Sequence, residues 1–273
     1  MAISDISLTA GMRNNLLALQ STAKNLQQTQ DRLSSGKRVN SALDNPTNYF
    51  AAQNALNRAS DFDARKDGMS EAIQTIKAAN AGISAITSLI QSAKGLASAA
   101  MSTNDTLAQA TYQTQFAQIQ TQITNLASDS GYRGNNLLTS GTLSIEFSDK
   151  TGQATLTVNG FSADAATLGV TATATAWSGS TASAGSSLSY MDTALNSLRS
   201  KSSTLASNLS IVTARQDFTT SMINTLQQGS DNLTLADMNQ EGANMLMLQT
   251  RQSLGTTALS LSSQAAQSIL KLF

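Results

Sequence analysis

Residues 9–38 read TAGMRNNLLALQSTAKNLQQTQDRLSSGKR, and their spacing sets the architecture. Thr9, Met12, Leu16, Leu19, Ala23, Leu26, Gln30 and Leu33 step by three and four, and six of these eight are apolar. That repeat places them along one narrow helical seam, the pattern of a coiled coil. The segment stops at SSGKR, where Gly36 suits the left-handed conformation just past a helix end. A matching seam closes the chain: Met238, Met245, Leu248, Leu259, Ala266, Ile269 and Phe273, with Gln252, Gly255 and Ser262 between them.

Between the two seams the sequence predicts long helices and one small β segment. Asn45 is a cap and Pro46, the single proline, suits the first helical position; a helical pattern runs from there to about Met101. Its seam includes Ile73, Ile76, Ile83, Ile86, Leu89, Ile90 and Leu96. STNDT (102–106) interrupts, with Asn104 or Asp105 as the next cap, and a helix carrying Phe116, Ile119, Ile123 and Leu126 follows to Gly131. TLSIEF, ATLTV and VTATATAW, between residues 141 and 187, alternate in the period-two manner of strands; SDKTGQ and NG supply turns. TAWSGSTASAGSS reads as a flexible exit. Helical spacing resumes near Leu188 with Leu195, Leu198, Leu205, Leu209, Val212, Phe218, Ile223 and Leu226, until Gly229 and SDN break it.

The expected fold is mainly α: a long antiparallel helical bundle with terminal coiled-coil helices and a small β-hairpin-type insertion. Residues 1–44 and 230–273 form the terminal pair, 45–140 with 188–229 an inner bundle, and 141–187 a variable β-rich segment. Each terminal seam offers about half a dozen large side chains, worth roughly 1.5–3 kcal/mol apiece if fully buried. Ordering the backbone opposes this by on the order of 1–2 kcal/mol per residue. Two helices cannot cover both sides of each other, so the pair is expected to draw on neighbouring copies of the chain; composition alone equally allows both ends to pack on the inner bundle of the same chain.

Composition excludes several function classes. Seventeen basic and seventeen acidic residues cancel, which leaves no surplus to hold a phosphate backbone, so nucleic acid is not an expected partner. The chain has no His and no Cys, which removes thiol nucleophiles, His-based acid–base catalysis and most zinc sites. No cofactor and no enzymatic activity are expected. MAISDISLTAGMRNN has neither a basic n-region nor an apolar h-region, and no run is long enough to span a bilayer.

Two stretches, LQSTAKNLQQTQDRLSSGKRVNSALDNP and QTRQSLGTTALSLSSQAAQSILKLF, resemble bacterial flagellin, the subunit of the flagellar filament. YRGNNLL (132–138) is similar to the family's exit from the inner helices. The likeness covers about residues 1–140 and 185–273 and omits the middle. It implies a structural subunit that polymerises with its own kind, is exported unfolded through the flagellar type III apparatus, and ends up secreted in the extracellular filament. It also implies an export chaperone on the C-terminal helix, and hook-associated junction and cap proteins as partners. By position, Leu16, Leu19, Leu26, Leu33, Leu259, Ala266, Ile269, Leu270 and Phe273 fall to filament-core contacts, and Gly36, Arg38, Asn40, Ser41 and Pro46 to the spoke linking tube and bundle. A hook–filament junction protein, with flagellin-like ends, is the alternative. Thr167, Thr171, Thr173, Thr175, Ser178, Ser180, Thr181 and Ser183 are candidate acceptors for O-linked sugar, which many flagellins carry. After Asp44 the family commonly continues with another acidic residue and a small AG pair, where NPTNYFAA stands here.

Three short motifs are set aside. SSGK (34–37), KTG (150–152) and SDN (230–232) mimic the serine β-lactamase signature, but KTG precedes SDN, the wrong order. Met245 and Met247 read as packing residues rather than a soft-metal box. A membrane-active C-terminal helix is disfavoured because its polar face carries Ser and Gln where Lys and Arg are preferred.

Overall fold

The computed structural model describes residues 10–148, 154–170 and 177–270, with the side chains of residues 269 and 270 excepted. Five helices and one β pair appear in the order α1 (Ala10–Ser35), α2 (Pro46–Ser102), α3 (Thr106–Asp129), β1 (Thr142–Glu146), β2 (Thr155–Asn159), α4 (Thr181–Thr234) and α5 (Met238–Leu270). The fold is thus mainly helical with a small antiparallel insertion. Packing divides it into two units, Met1–Asn57 with Thr225–Phe273, and Arg58–Asn224.

The capping chemistry explains most boundaries. Asn45 Oδ1 accepts the Asn48 amide at 3.0 Å, with Pro46 opening α2. Asp105 Oδ1 accepts the Leu107 amide at 2.9 Å and starts α3. Gly36 ends α1 at φ +70°, a conformation that strains any residue with a Cβ.

The larger unit holds the core. On α2, Met69, Ala72, Ile76, Ala79, Ile83, Ile86, Ile90, Ala93, Ala97 and Ala100 are buried at three- and four-residue steps. Phe116 and Ile123 of α3, and Met191, Leu195, Leu198, Leu205 and Val212 of α4, close over them. The sheet adds one apolar face: Leu143 stands opposite Val158 and Ile145 opposite Leu156, while Ser144 and Thr157 face solvent. Gly160 bonds its amide to Gly141 O at 2.8 Å, and a Cβ there would sit 2.3 Å from that same oxygen. Only glycine permits this approach.

Four expectations are corrected. Helix α4 begins at Thr181, seven residues ahead of Leu188, and the supposed flexible exit is packed at Trp177, Ala184 and Ser187. Trp177 is fully buried with its ring 4.9 Å from Phe116, and its Nε1 donates to Ser187 Oγ at 3.2 Å. Burying one indole outweighs the weak helix preference of Ser and Thr. Helix α4 also runs through Gly229 and SDN to Thr234, because Ile223, Ser230 and Thr234 continue its inward row. One glycine costs only about 1 kcal/mol. The break falls instead at Leu235–Asp237, where Asp237 Oδ1 accepts the amides of Asn239 and Gln240. Phe218 is 52% exposed; the inward position is Thr219. Asn159 and Gly160 end β2 rather than forming a hairpin turn. Most of VTATATAW (171–176) and the KTG triplet lie outside the described residues.

Candidate assembly surface on the terminal helices

Helices α1 and α5 pack against each other. Their direction follows from two contacts: Arg32 Nη1 meets Glu241 Oε1 at 3.1 Å, and Leu19 lies over Gly255, where a Cβ would come within 2.7 Å of Leu19 Cδ2. Residue numbers rise on one helix as they fall on the other, so the pair is antiparallel. Glycine at 255 lets the two backbones approach closely.

From Met245 onward the seam on α5 has the phase read from sequence, whereas Met238, expected in it, is 47% exposed. Leu248 is buried, and Met245, Gln252, Gly255, Leu259, Ser262 and Ala266 are half-buried. On α1 the phase differs at alternate positions. Met12 and Thr29 are buried and Asn15, Leu19, Thr22, Leu26 and Leu33 half-buried, whereas Leu16, Ala23 and Gln30 are exposed. A three–four repeat admits two phases sharing every second position, and the short side chains of Thr22 and Thr29 permit the closer one. Leu16, expected in the seam, therefore faces outward at 39% exposure.

The outward faces are apolar as well. Met247, Leu254 and Leu261 recur every seven residues on α5 and are 47%, 65% and 62% exposed; Leu246 and, on α1, Leu17 add to them. Spacing alone does not single out Leu17, Leu246, Leu254 and Leu261, since they lie off the seam, and Met247, read as a packing residue, faces outward instead. The available signal was a helix with large apolar residues on more than one face, which in soluble chains marks a helix destined for burial.

The link from α1 to α2 is tied to the link from α4 to α5. Arg38 and Val39 donate their amides to Thr234 O at 2.7 and 3.2 Å, and Ala236 donates to Gly36 O at 3.0 Å. Asp44 organises the turn: its Oδ2 accepts the amides of Asn40 and Ser41, each at 3.0 Å. These backbone donors, Asn40's first, hold the Asp44 carboxyl below its ordinary pKa of 3.8. Gly36, Arg38, Asn40, Ser41 and Pro46 thus share one connection, with Asp44 as the organiser that sequence spacing did not identify. A polar cleft of about 480 Å³ beside it is walled by Asp31, Arg32, Arg38 and Asp44.

The Arg32–Glu241 pair is incompletely satisfied. Arg32 Nε and Glu241 Oε2 are buried and make no hydrogen bond. Such a pair is a weak source of stability. Among the described residues no group of three metal-ligating side chains occurs, and no helix is long and apolar enough to cross a membrane.

The remaining candidates are placed as follows. Ile269 and Leu270 end α5, but their side chains, and Phe273 entirely, lie outside the described residues, as do Thr171, Thr173 and Thr175. Thr167, Ser178 and Thr181 are exposed, while Ser180 and Ser183 are half-buried and bonded to each other at 2.9 Å at the start of α4.

Residues 6–142 match the family described as the bacterial flagellin N-terminal helical region. Flagellin FljM of Caulobacter vibrioides is 31% identical over 100% of both chains. The chain belongs to the bacterial flagellin family. Flagellin FljK of the same organism is 30% identical, again over the whole of both chains, and a flagellin of Brucella melitensis is 29% identical over 94% of this chain and 95% of its own. A crystal structure of Bacillus cereus flagellin aligns with 57% of this chain and 88% of its own at 21% identity and a TM-score of 0.47. Flagellins are structural subunits of the flagellar filament, an extracellular polymer.

Proposed function

We propose that this flagellin polymerises into the filament through α1 and α5, whose outward faces become buried between copies. The observation that carries the reading is the exposed row Met247, Leu254 and Leu261 on a helix already paired along its other face. The low charge of both helices supports it: dense packing of identical copies then buries few unpaired ions. Leu16 and Leu17 supply the corresponding outward apolar residues on α1.

Around that core, the chain is exported unfolded through the type III apparatus, with a chaperone on its C-terminal helix until export. In the filament it meets hook-associated junction and cap proteins at the ends. The terminal pair serves as the assembly domain, the inner helices as a spoke-linked bundle, and residues 141–187 as the outward segment. Exposed Thr167, Ser178 and Thr181 are the acceptors best placed for sugar. An intact mass of secreted protein equal to the bare sequence rules sugar out.

Electron microscopy of the concentrated pure chain tests the central claim. Filaments are expected. Discrete particles at every concentration overturn it.

A further inference from the structure

The chain has no cysteine, so its oxidisable sulfur is all in methionine, and the described methionines differ widely in exposure. Among the described residues Met69 and Met191 are fully buried, Met12 is 8% exposed and Met222 and Met245 are half-buried, whereas Met101, Met238 and Met247 are 42%, 47% and 47% exposed. Of the three exposed ones, Met247 alone stands in the seven-residue row with Leu254 and Leu261. Met238 is the first residue of α5, beside the turn capped by Asp237, and Met101 lies near the end of α2 in the other unit.

We propose that Met247 is a peroxide-sensitive modification site whose oxidation blocks self-assembly; this rests on the outward face of α5 being the assembly surface. The step is a single oxygen transfer. A hydroperoxide oxygen bonds to Met247 Sδ, the O–O bond breaks, the sulfur loses two electrons, and the peroxide departs as water. The product sulfoxide is a strong acceptor on a formerly apolar side chain. Its neighbours along the row are two leucines, which offer no side-chain donor. Closing another copy over it buries an unsatisfied polar group, which raises the concentration needed for polymerisation by about tenfold or more. Oxidation at Met101 or Met238 lacks this consequence, because neither belongs to the row. Once polymer forms, Met247 is covered and protected.

The test uses the full chain. Monomer is exposed briefly to dilute hydrogen peroxide, quenched, mapped by peptide mass, and then concentrated while polymer is measured by sedimentation. Met101, Met238 and Met247 are expected to oxidise before Met69 and Met191, and treated protein to need about tenfold more chain to polymerise. Met247→Leu, which keeps the volume, is expected to polymerise alike before and after treatment even though its Met101 and Met238 are oxidised. In preformed polymer Met247 is expected to oxidise more slowly than in monomer. The proposal is overturned if treated Met247→Leu loses assembly as wild type does. It is also overturned if chain oxidised at Met247 polymerises at an unchanged concentration, or if Met247 reacts equally fast in polymer. Failure of untreated chain to polymerise is a separate result: it removes the assembly reading and this proposal with it.

Discussion

Helices α1 and α2 both carry apolar residues at three- and four-residue steps, yet they bury very different amounts. Along α2, Met69, Ile76, Ile86 and Ile90 have no exposed surface, because α3, α4 and the sheet contribute to the same core. Along α1 only Met12 and Thr29 are buried, and among the described side chains α5 supplies only Leu248 and Glu241. A heptad pattern therefore states which face wants a partner and leaves open how many partners the same chain provides. The larger unit is complete in itself. The terminal unit is a pair of helices with apolar surface left over on both.

The largest expected effect comes from removing part of the incomplete unit. Deleting residues 260–273 is expected to abolish polymerisation while leaving most circular-dichroism helicity, since the inner core lies within residues 58–224. Wholesale unfolding of the truncated chain would show that the terminus supports the monomer and erase the contrast. Ala266→Glu, half-buried in the seam, is expected to give the same assembly defect with nearly unchanged helicity.

A pair of truncations sharpens the comparison. Ile86→Ala, at a site with no exposed surface, is expected to lower monomer stability by about 2–5 kcal/mol in denaturant unfolding. Leu254→Ala, at 65% exposure, is expected to change it by less than about 0.5 kcal/mol while raising the polymerisation threshold. Equal losses in monomer stability would mean the outward row is already covered within one chain.

Gly255→Val probes the close approach of α1 and α5. The added side chain meets Leu19, a flexible neighbour, so the expected loss is about 1–3 kcal/mol and confined to the terminal pair. Amide exchange is the measurement: faster exchange across α1 and the second half of α5, with no change around Ile86 or Ile123.

Much of this was legible from residue spacing, because the signals were local. Pro46, Asp105 and Gly36 each satisfy a helix end by their own chemistry, and the isoleucine row of α2 reports its buried face directly. The misreadings occur where distant contacts decide. Ser and Thr ahead of Leu188 look like a linker until Trp177 is seen packing on Phe116. Gly229 looks like a break until Ser230 and Thr234 are seen to be buried. On α1 both phases share Met12, Leu19, Leu26 and Leu33, and the buried choice falls on Thr22 and Thr29, whose short polar side chains carry no apolar signal in the sequence. Within the candidate surface, the seam of α5 is readable from Met245 onward, whereas Leu254 and Leu261 lie off it and Met247, read as a packing residue, is 47% exposed. Searching for the stripe facing a partner in the same chain discards residues meant for a different one.

The smallest expected effect compares one carboxylate from each unit. Asp44 is held below its ordinary pKa chiefly by the Asn40 and Ser41 amides, and Asp164 chiefly by the Ser162 hydroxyl and then the Thr167 amide. A carboxyl with a depressed native pKa binds protons more readily in the unfolded chain, so its stabilising effect is complete above 3.8 and fades as pH falls through the lower native value. Both turns are therefore expected to be unaffected between neutral pH and about 5 and to loosen only below 3.8. Amide NMR shifts of Asn40 and Ser41 are expected to titrate in that acid range and to lose the response in Asp44→Asn. Thr167 is expected to lose it only in Asp164→Asn. A response of Asn40 centred near neutrality would show that some other group governs the connection to α2. The two turns would then differ in kind, as the two units do in packing.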